Sequence, residues 1–209
     1  MKTTTSTTAL TVRLEVSDPE AARTTYAAAF GLGDQLSFRA NQEPTSGFRG
    51  FVVSLVVSQP STVDSLVATA LDVGFTISKP AEKSFWGYGA VVTAPDGAIW
   101  KVTTSNKKNT GPVTREIDQV VLLLGVDNVK ASKQFYVEHG LTVAKSFGSK
   151  YVEFATPDST VGLALYGRRA AAKDAGIAPE GSGSHRIVIG SDAGPFTDPD
   201  GFSWEPTAN

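Results

Sequence analysis

Cysteine is absent from the 209 residues. That removes disulfides, thiolate zinc sites, iron–sulfur clusters and cysteine nucleophiles from consideration. Histidine is scarce: His139 and His185 are the only two. A histidine-based metal or catalytic site must therefore use one of them or borrow from a second subunit. No stretch approaches the roughly 18 apolar residues that span a bilayer. Met1 to Ala9, mostly Thr and Ser, lack the apolar core of a secretory signal and read as a frayed tail. A basic excess is missing too, with 19 Lys plus Arg against 21 Asp plus Glu and a formal net charge of −2. A general binder of phosphate backbones would carry one. The expectation is a cytoplasmic, soluble protein with neither nucleic acid nor membrane as partner. The sequence also lacks a Gly-x-Gly-x-x-Gly or Walker-type loop, a Gly-x-Ser-x-Gly elbow and a His-Glu-x-x-His pair.

What is present is ordinary for a folded chain, 41% hydrophobic and 19% charged, with a weak internal repeat. Thr11–Asp18, Ala21–Tyr26 and Phe30-Gly31-Leu32 are followed in the same order by Gln119–Gly125, Val129–Tyr136 and His139-Gly140-Leu141. Late in each half stands a matching turn, Pro95-Asp96-Gly97 before Trp100 and Pro199-Asp200-Gly201 before Trp204. Between the halves, Ser105–Pro112 is polar, carries Gly and Pro and has no hydrophobic period, which marks a linker. The reading is two halves, 8–105 and 116–209, joined by 106–115.

The local patterns are legible. Leu10–Val16 alternates apolar and polar, a half-buried strand. Asp18 then caps a helix with Pro19 at its first position. Phe51–Val57 is an apolar β-rich run, a strand buried on both faces. Ser61 is expected to cap a second helix carrying Val63, Leu66, Val67, Ala70 and Leu71 at helical spacing. Phe75–Ser78, Gly89–Thr93 and Ile99–Thr103 read as strands, the last two joined as a hairpin. Residues 51–103 thus read β-α-β-β-β. Residues 117–166 repeat that order, with strands over Ile117–Leu124, Leu141–Ser146, Tyr151–Ala155 and Val161–Tyr166 and a helix over Val129–His139. The flanking pieces, 10–50 and 185–206, look trimmed. Arg168–Gly176 reads as a short helix followed by a flexible loop, either a solvated connector or a lid.

The repeated modules, the stretch Phe85-Trp86-Gly87-Tyr88-Gly89 with its downstream Pro95-Asp96-Gly97, the closing Asp198–Glu205, and the helix signature Phe135-Tyr136 with Gly140-Leu141 resemble the vicinal oxygen chelate superfamily. That superfamily includes glyoxalase I, ring-cleaving dioxygenases and bleomycin-resistance proteins. The resemblance implies an α+β fold, βαβββ modules forming curled mixed sheets, with module pairs closing into a cup. The cup of the family commonly holds a divalent metal on His, Glu, His and Glu. Carried over to this chain, those positions hold Thr11, a strand within Phe51–Val57 that has no ligand type, and Lys101 in the first half. The second half offers Gln119 (or Val121), no carboxylate in Gly162–Tyr166, then His185 and Glu205. His185, Glu205 and Gln119 are the candidate metal ligands, fewer than a tight site needs.

The expected function is that of a glyoxalase/bleomycin-resistance-like protein with a degenerate metal site and no cofactor. It would hold a small apolar or aromatic molecule in a β-lined cup walled by Trp86, Tyr88, Phe51 and Phe38, with Lys101 meeting an anionic group. The alternative is a lyase or dioxygenase using zinc, nickel, manganese or iron on His185 and Glu205. Blander roles stand beside these. His185 can bond Ser184 or a backbone carbonyl, Glu205 can be solvated or paired with an arginine, and His139 suits a helix C-terminus. All three tryptophans can be core. The full modules are expected to pair with each other, and the trimmed ends with each other. The family's habit of dimerising leaves a homodimer open. Ligand, reaction and oligomeric state are not legible.

Overall fold

The computed structural model describes residues 10–32, 36–157 and 159–207; the expected frayed tail, Met1 to Ala9, lies outside them. The strands are β1 (Leu10–Val16), β2 (Leu36–Ala40), β3 (Ser46–Gly47), β4 (Phe51–Val56), β5 (Thr76–Ser84), β6 (Gly87–Thr93), β7 (Ile99–Thr104), β8 (Gln119–Val126), β9 (Val143–Phe147), β10 (Tyr151–Phe154), β11 (Val161–Gly167), β12 (Gly181–Ser182), β13 (Ile187–Ser191), β14 (Phe196–Thr197) and β15 (Ser203–Glu205). The helices are α1 (Pro19–Phe30), α2 (Pro60–Asp72), α3 (Val129–Glu138) and α4 (Arg168–Ala175). No helix among the described residues is long and apolar enough to cross a membrane.

The strands form an eight-stranded sheet in the order β5-β6-β7-β4-β8-β11-β10-β9 and a five-stranded sheet in the order β14-β15-β13-β1-β2. A two-stranded ribbon of β12 and β3 accompanies them. The large sheet is made of the two full β-α-β-β-β segments, joined where β4 runs antiparallel to β8 from Phe51↔Leu124 to Val56↔Gln119. The small sheet is made of the trimmed ends, joined where β1 runs antiparallel to β13 from Leu10↔Ser191 to Leu14↔Ile187. Middle pairs with middle and end with end, as the lengths of the segments suggested.

The helices α1, α2 and α3 share one core with residues of both sheets. Alternation decides which residues lie there. Val120, Leu122 and Leu124 of β8 join a core shared with Tyr26, Phe30, Leu66, Val67 and Tyr136 of the helices. Tyr26 on α1 donates to the Asp96 carboxylate at 2.7 Å and lies 5.1 Å from the Trp100 ring. Tyr136 on α3 donates to Asp198 and lies 5.2 Å from Trp204. The repeated Tyr, Asp and Trp signals therefore meet in space, joining each first helix to the later turn of its own half.

Two local expectations are corrected. The helix α2 begins at Pro60, two residues earlier than a Ser61 cap implies, and Gln59 occupies the cap position without a side-chain bond to the helix. Ser61 does not cap; its N–H donates instead to Asn109 of the linker at 2.8 Å. Proline at the first helical position has no N–H to satisfy, which lets the cap shift. The Gln59 side chain, 2% exposed, straps the linker. Its Oε1 accepts from the N–H of Thr110 and Gly111 at 2.8 and 2.9 Å, and its Nε2 donates to the Pro112 carbonyl at 2.6 Å. Gln59→Leu leaves those groups without partners and is expected to cost about 2 kcal/mol, lowering the melting temperature by about 6 °C. A melt no lower than that of the wild type would show that the strap adds nothing.

Candidate functional site

The inner face of the large sheet, turned away from α1–α3, is built from the other half of each alternation. It presents Val52 on β4, Val91 on β6, Ile99 and Lys101 on β7, Leu123 on β8 and Tyr166 on β11. The segment after β11 lies across it. Its sequence, Arg168-Arg-Ala-Ala-Ala-Lys-Asp-Ala175, is rich in strong helix formers, and Gly176 ends the helix in the left-handed region at φ 73°. Ala171, Ala172 and Ala175 are buried in a second apolar cluster with Phe48, Val52, Val91 and Ile99, edged by Leu123 and Tyr166. Gly125 permits this approach: a Cβ there would stand 3.0 Å from the Gly50 carbonyl oxygen and 3.3 Å from Arg168 Cα. The segment expected as a connector or a lid is therefore seated on the inner face.

The seat is shallow. Three alanine methyl groups bury about 0.8 kcal/mol each. The Arg168 guanidinium donates to the Phe48 carbonyl at 2.8 Å and the Pro179 carbonyl at 3.2 Å. Lys101 Nζ donates to Asp174 Oδ2 at 2.5 Å, with side chains 28% and 40% exposed, where solvent reduces an ion pair to roughly 0–1 kcal/mol.

Among the described residues, two cavities of interest border the inner face. The larger, about 450 Å³, is lined by Val56, Gln119, Val121, Tyr151, Glu153 and Gly162 among others. Tyr151 and Glu153 face it because Val152 and Phe154, the alternate residues of β10, are buried in the main core. Glu153 Oε2 lies 3.5 Å from the Tyr151 hydroxyl and 3.7 Å from Lys145 Nζ. Burial, and then the Glu153 carboxylate, push the Tyr151 phenol up to about 12, so it is a hydrogen-bond donor at neutral pH. The cleft thus offers a carboxylate acceptor, a phenol and a carboxamide above an apolar floor. Tyr151 and Glu153 were not expected from the sequence; the alternation in Tyr151-Val-Glu-Phe154 was the signal available.

The smaller cavity, about 110 Å³, is lined by Lys79, Trp86, Tyr88, Lys101, Thr103 and Asp174 among others. Two of the five side chains expected to line the cup meet here, Trp86 and Lys101; the Tyr88 ring turns to the helix face of β6, in step with Ala90 and Val92. Trp86 is 82% exposed, with Phe85 edge-on at 5.0 Å. The Tyr88 hydroxyl donates to Asp64 at 2.7 Å, and this bond, with some burial, raises its pKa. Phe51 and Phe38 lie elsewhere. Phe51 points to the helix side, one residue out of step with Val52, and Phe38 stacks on Tyr26 at 5.5 Å.

The three candidate metal ligands are dispersed. Gln119 borders the large cavity. His185 sets Nδ1 2.5 Å from the Arg49 carbonyl oxygen and Nε2 3.0 Å from that of Asp200, and stacks on Phe202 at 3.9 Å. Carbonyl oxygens only accept, so neither ring nitrogen turns a lone pair toward an open site. Glu205, on the outer face of the small sheet, accepts from Arg13 at 3.0 Å and Arg39 at 2.9 Å, one arginine on each oxygen. Arg39 also holds Glu15 at 2.5 Å. Burial alone would raise the Glu15 pKa, but the bonds from Arg39 and Asn41 outweigh it and lower it. Among the described residues no group of three His, Asp or Glu side chains is placed to hold a metal ion. Dispersed and already engaged in this way, these residues do not fit a divalent metal.

No family model matches the sequence, and no curated protein does either. Solved structures do. A glyoxalase I mutant from Zea mays is 16% identical with a TM-score of 0.59, the match covering 95% of this chain and 92% of that one. Glyoxalase I from Zea mays is 17% identical with a TM-score of 0.55, covering 88% and 75%. A putative dioxygenase from Bacillus subtilis is 13% identical with a TM-score of 0.53, covering 86% and 68%. These likenesses show the fold alone: mixed α+β with curled sheets, as in those glyoxalase and dioxygenase structures.

Proposed function

We propose that this protein binds a small, largely apolar or aromatic molecule on the inner face of its large sheet, in the cleft beside Gln119, Tyr151 and Glu153. The observation that carries this reading is the cleft itself. Its volume of about 450 Å³ lies in the range of small-molecule sites. Its composition, an apolar floor with a few convergent polar groups, is what such sites use to bind and to orient. Glu153 would accept from a donor on the ligand, and the Tyr151 hydroxyl would donate. The reading is of a binding protein with a degenerate metal site. The metal-dependent lyase or dioxygenase reading has no support in the placement of His185, Glu205 and Gln119.

The test begins with a thermal-shift screen of aromatic and apolar fragments, since a ligand of the folded state raises its melting temperature. Gly162 supplies the control. A Cβ at this position would meet Gln119 Nε2 at 3.1 Å and Val121 Cγ2 at 3.5 Å, so a larger side chain there fills the cleft. Gly162→Leu is expected to keep its fold and to lose at least tenfold in affinity for any fragment that stabilises the wild type. Equal shifts in both proteins would move the site elsewhere.

A further inference from the structure

We propose that the inner face holds a second ligand compartment, closed in this structure by the chain's own α4, and that its occupant is an aromatic molecule bearing a carboxylate or sulfonate, for which the Asp174 side chain stands in. This rests on the reading of the inner face as a ligand surface.

Lys101 leads the argument. It projects from β7 between Ile99 and Thr103, and its carboxylate partner comes from α4, 73 positions along the chain. Around it the cavity is too small for more than a few atoms, about 110 Å³. Beneath α4, however, lies a continuous apolar surface of Val52, Val91, Ile99 and Leu123 with the rings of Phe48 and Tyr166. Trp86 stands at the rim, largely exposed, with an aromatic face free to close on a guest. A cation at the end of an apolar and aromatic floor selects an anionic group joined to a flat ring.

The cover is made to come off. Its apolar contacts with the sheet are three alanines and, just beyond Gly176, the partly buried Ile177, and the ion pair that ties the far end of α4 to the sheet uses the carboxylate a ligand would replace. Arg168 keeps the near end fixed through two backbone carbonyls, so α4 would swing about that end. Lys79 and Glu82, an ion pair at 3.2 Å, also face the compartment. They leave its net charge to Lys101 once Asp174 withdraws. α4 is then a built-in competitor: affinity for an outside anion is set by how well it outcompetes Asp174 for Lys101.

The probe is 8-anilinonaphthalene-1-sulfonate, an anionic aromatic dye whose fluorescence rises on leaving water. Asp174→Ala is expected to bind it at least tenfold more tightly than the wild type, with the near-ultraviolet dichroism of the native fold retained. Limited proteolysis should cut within residues 168–184 faster. Adding Lys101→Met should return affinity to the wild-type level, and the uncharged N-phenyl-1-naphthylamine should show little gain in any variant. Gly162→Leu should leave the gain intact, which separates this compartment from the open cleft. If Asp174→Ala does not fold, Asp174→Asn keeps the shape and carries the same measurement. Unchanged dye affinity in the folded Asp174 variant, or a gain that survives the loss of Lys101, overturns the proposal.

Discussion

Above about pH 10 the protein is expected to lose stability steeply, and replacing Tyr26 and Tyr136 by phenylalanine should remove much of that slope. Both phenols are buried, 1% and 0% exposed, and each donates to a carboxylate, Asp96 or Asp198. Burial first, and the neighbouring carboxylate second, hold both pKa values well above the ordinary tyrosine value. In the unfolded chain these protons leave near pH 10; in the folded chain they stay. The folded state therefore binds more protons there, and stability falls as pH rises. The contribution is fully present below the unfolded value and is lost progressively on the way to the folded one. Each phenol accounts for about 1.4 kcal/mol per pH unit, about 2.8 for the pair. Urea unfolding at about pH 9, 10 and 11 would measure it. The double variant should start lower, because each carboxylate loses a donor at about 1–3 kcal/mol, yet fall less steeply than the wild type. Parallel curves would show that the phenols ionise in place.

The three tryptophans should divide sharply under alanine replacement. Trp100 is 0% exposed and packs between Tyr26 and Phe30, at 5.1 and 5.2 Å. Trp204 is 2% exposed and packs between Tyr136 and Phe196, at 5.2 and 5.1 Å. Removing either indole leaves a cavity at the joint between a helix and its turn, at a cost of about 3–5 kcal/mol, or about 10 °C in melting temperature for a chain of this size. Trp86, 82% exposed, should change stability by no more than about 0.5 kcal/mol. Thermal melts of the three variants decide the matter. A Trp86→Ala melt as low as that of Trp204→Ala would mean that the β5–β6 turn packs against something this chain does not show by itself.

The fold was readable because its signals are local and repeated. Alternation over Leu10–Val16, the Asp18-Pro19 cap, the Pro-Asp-Gly turns and two β-α-β-β-β orders each depend on a few neighbouring residues, and those are what strands, caps and turns answer to. The trimmed lengths of the end segments raised the pairing of middle with middle and end with end as one possibility, and the strand pairing itself decided it. Gln59 shows the limit. Its pattern said only that a helix begins nearby, while its partners lie some fifty positions ahead, in the linker.

The candidate site was less legible, for a related reason. Trp86 and Lys101 could be named from residue type and family position, and both line the small cavity, whereas Tyr88 turns to the helix side and meets Asp64. Phe51 could not be assigned to a face: in a strand buried on both sides, hydrophobicity no longer marks which way a residue points, and one step reverses it. His185 and Glu205 have the residue types of metal ligands, but partners remote in sequence decide whether their lone pairs are free. Glu205 meets Arg13 from the opposite end of the chain. The sequence by itself determined the elements, their repeat and the fold class, because those rest on short-range periodicity and sterics. Tertiary structure alone decided that α4 lies on the inner face, that Asp174 reaches Lys101, and that the open cleft belongs to Tyr151 and Glu153, because each is a meeting of residues no local pattern links.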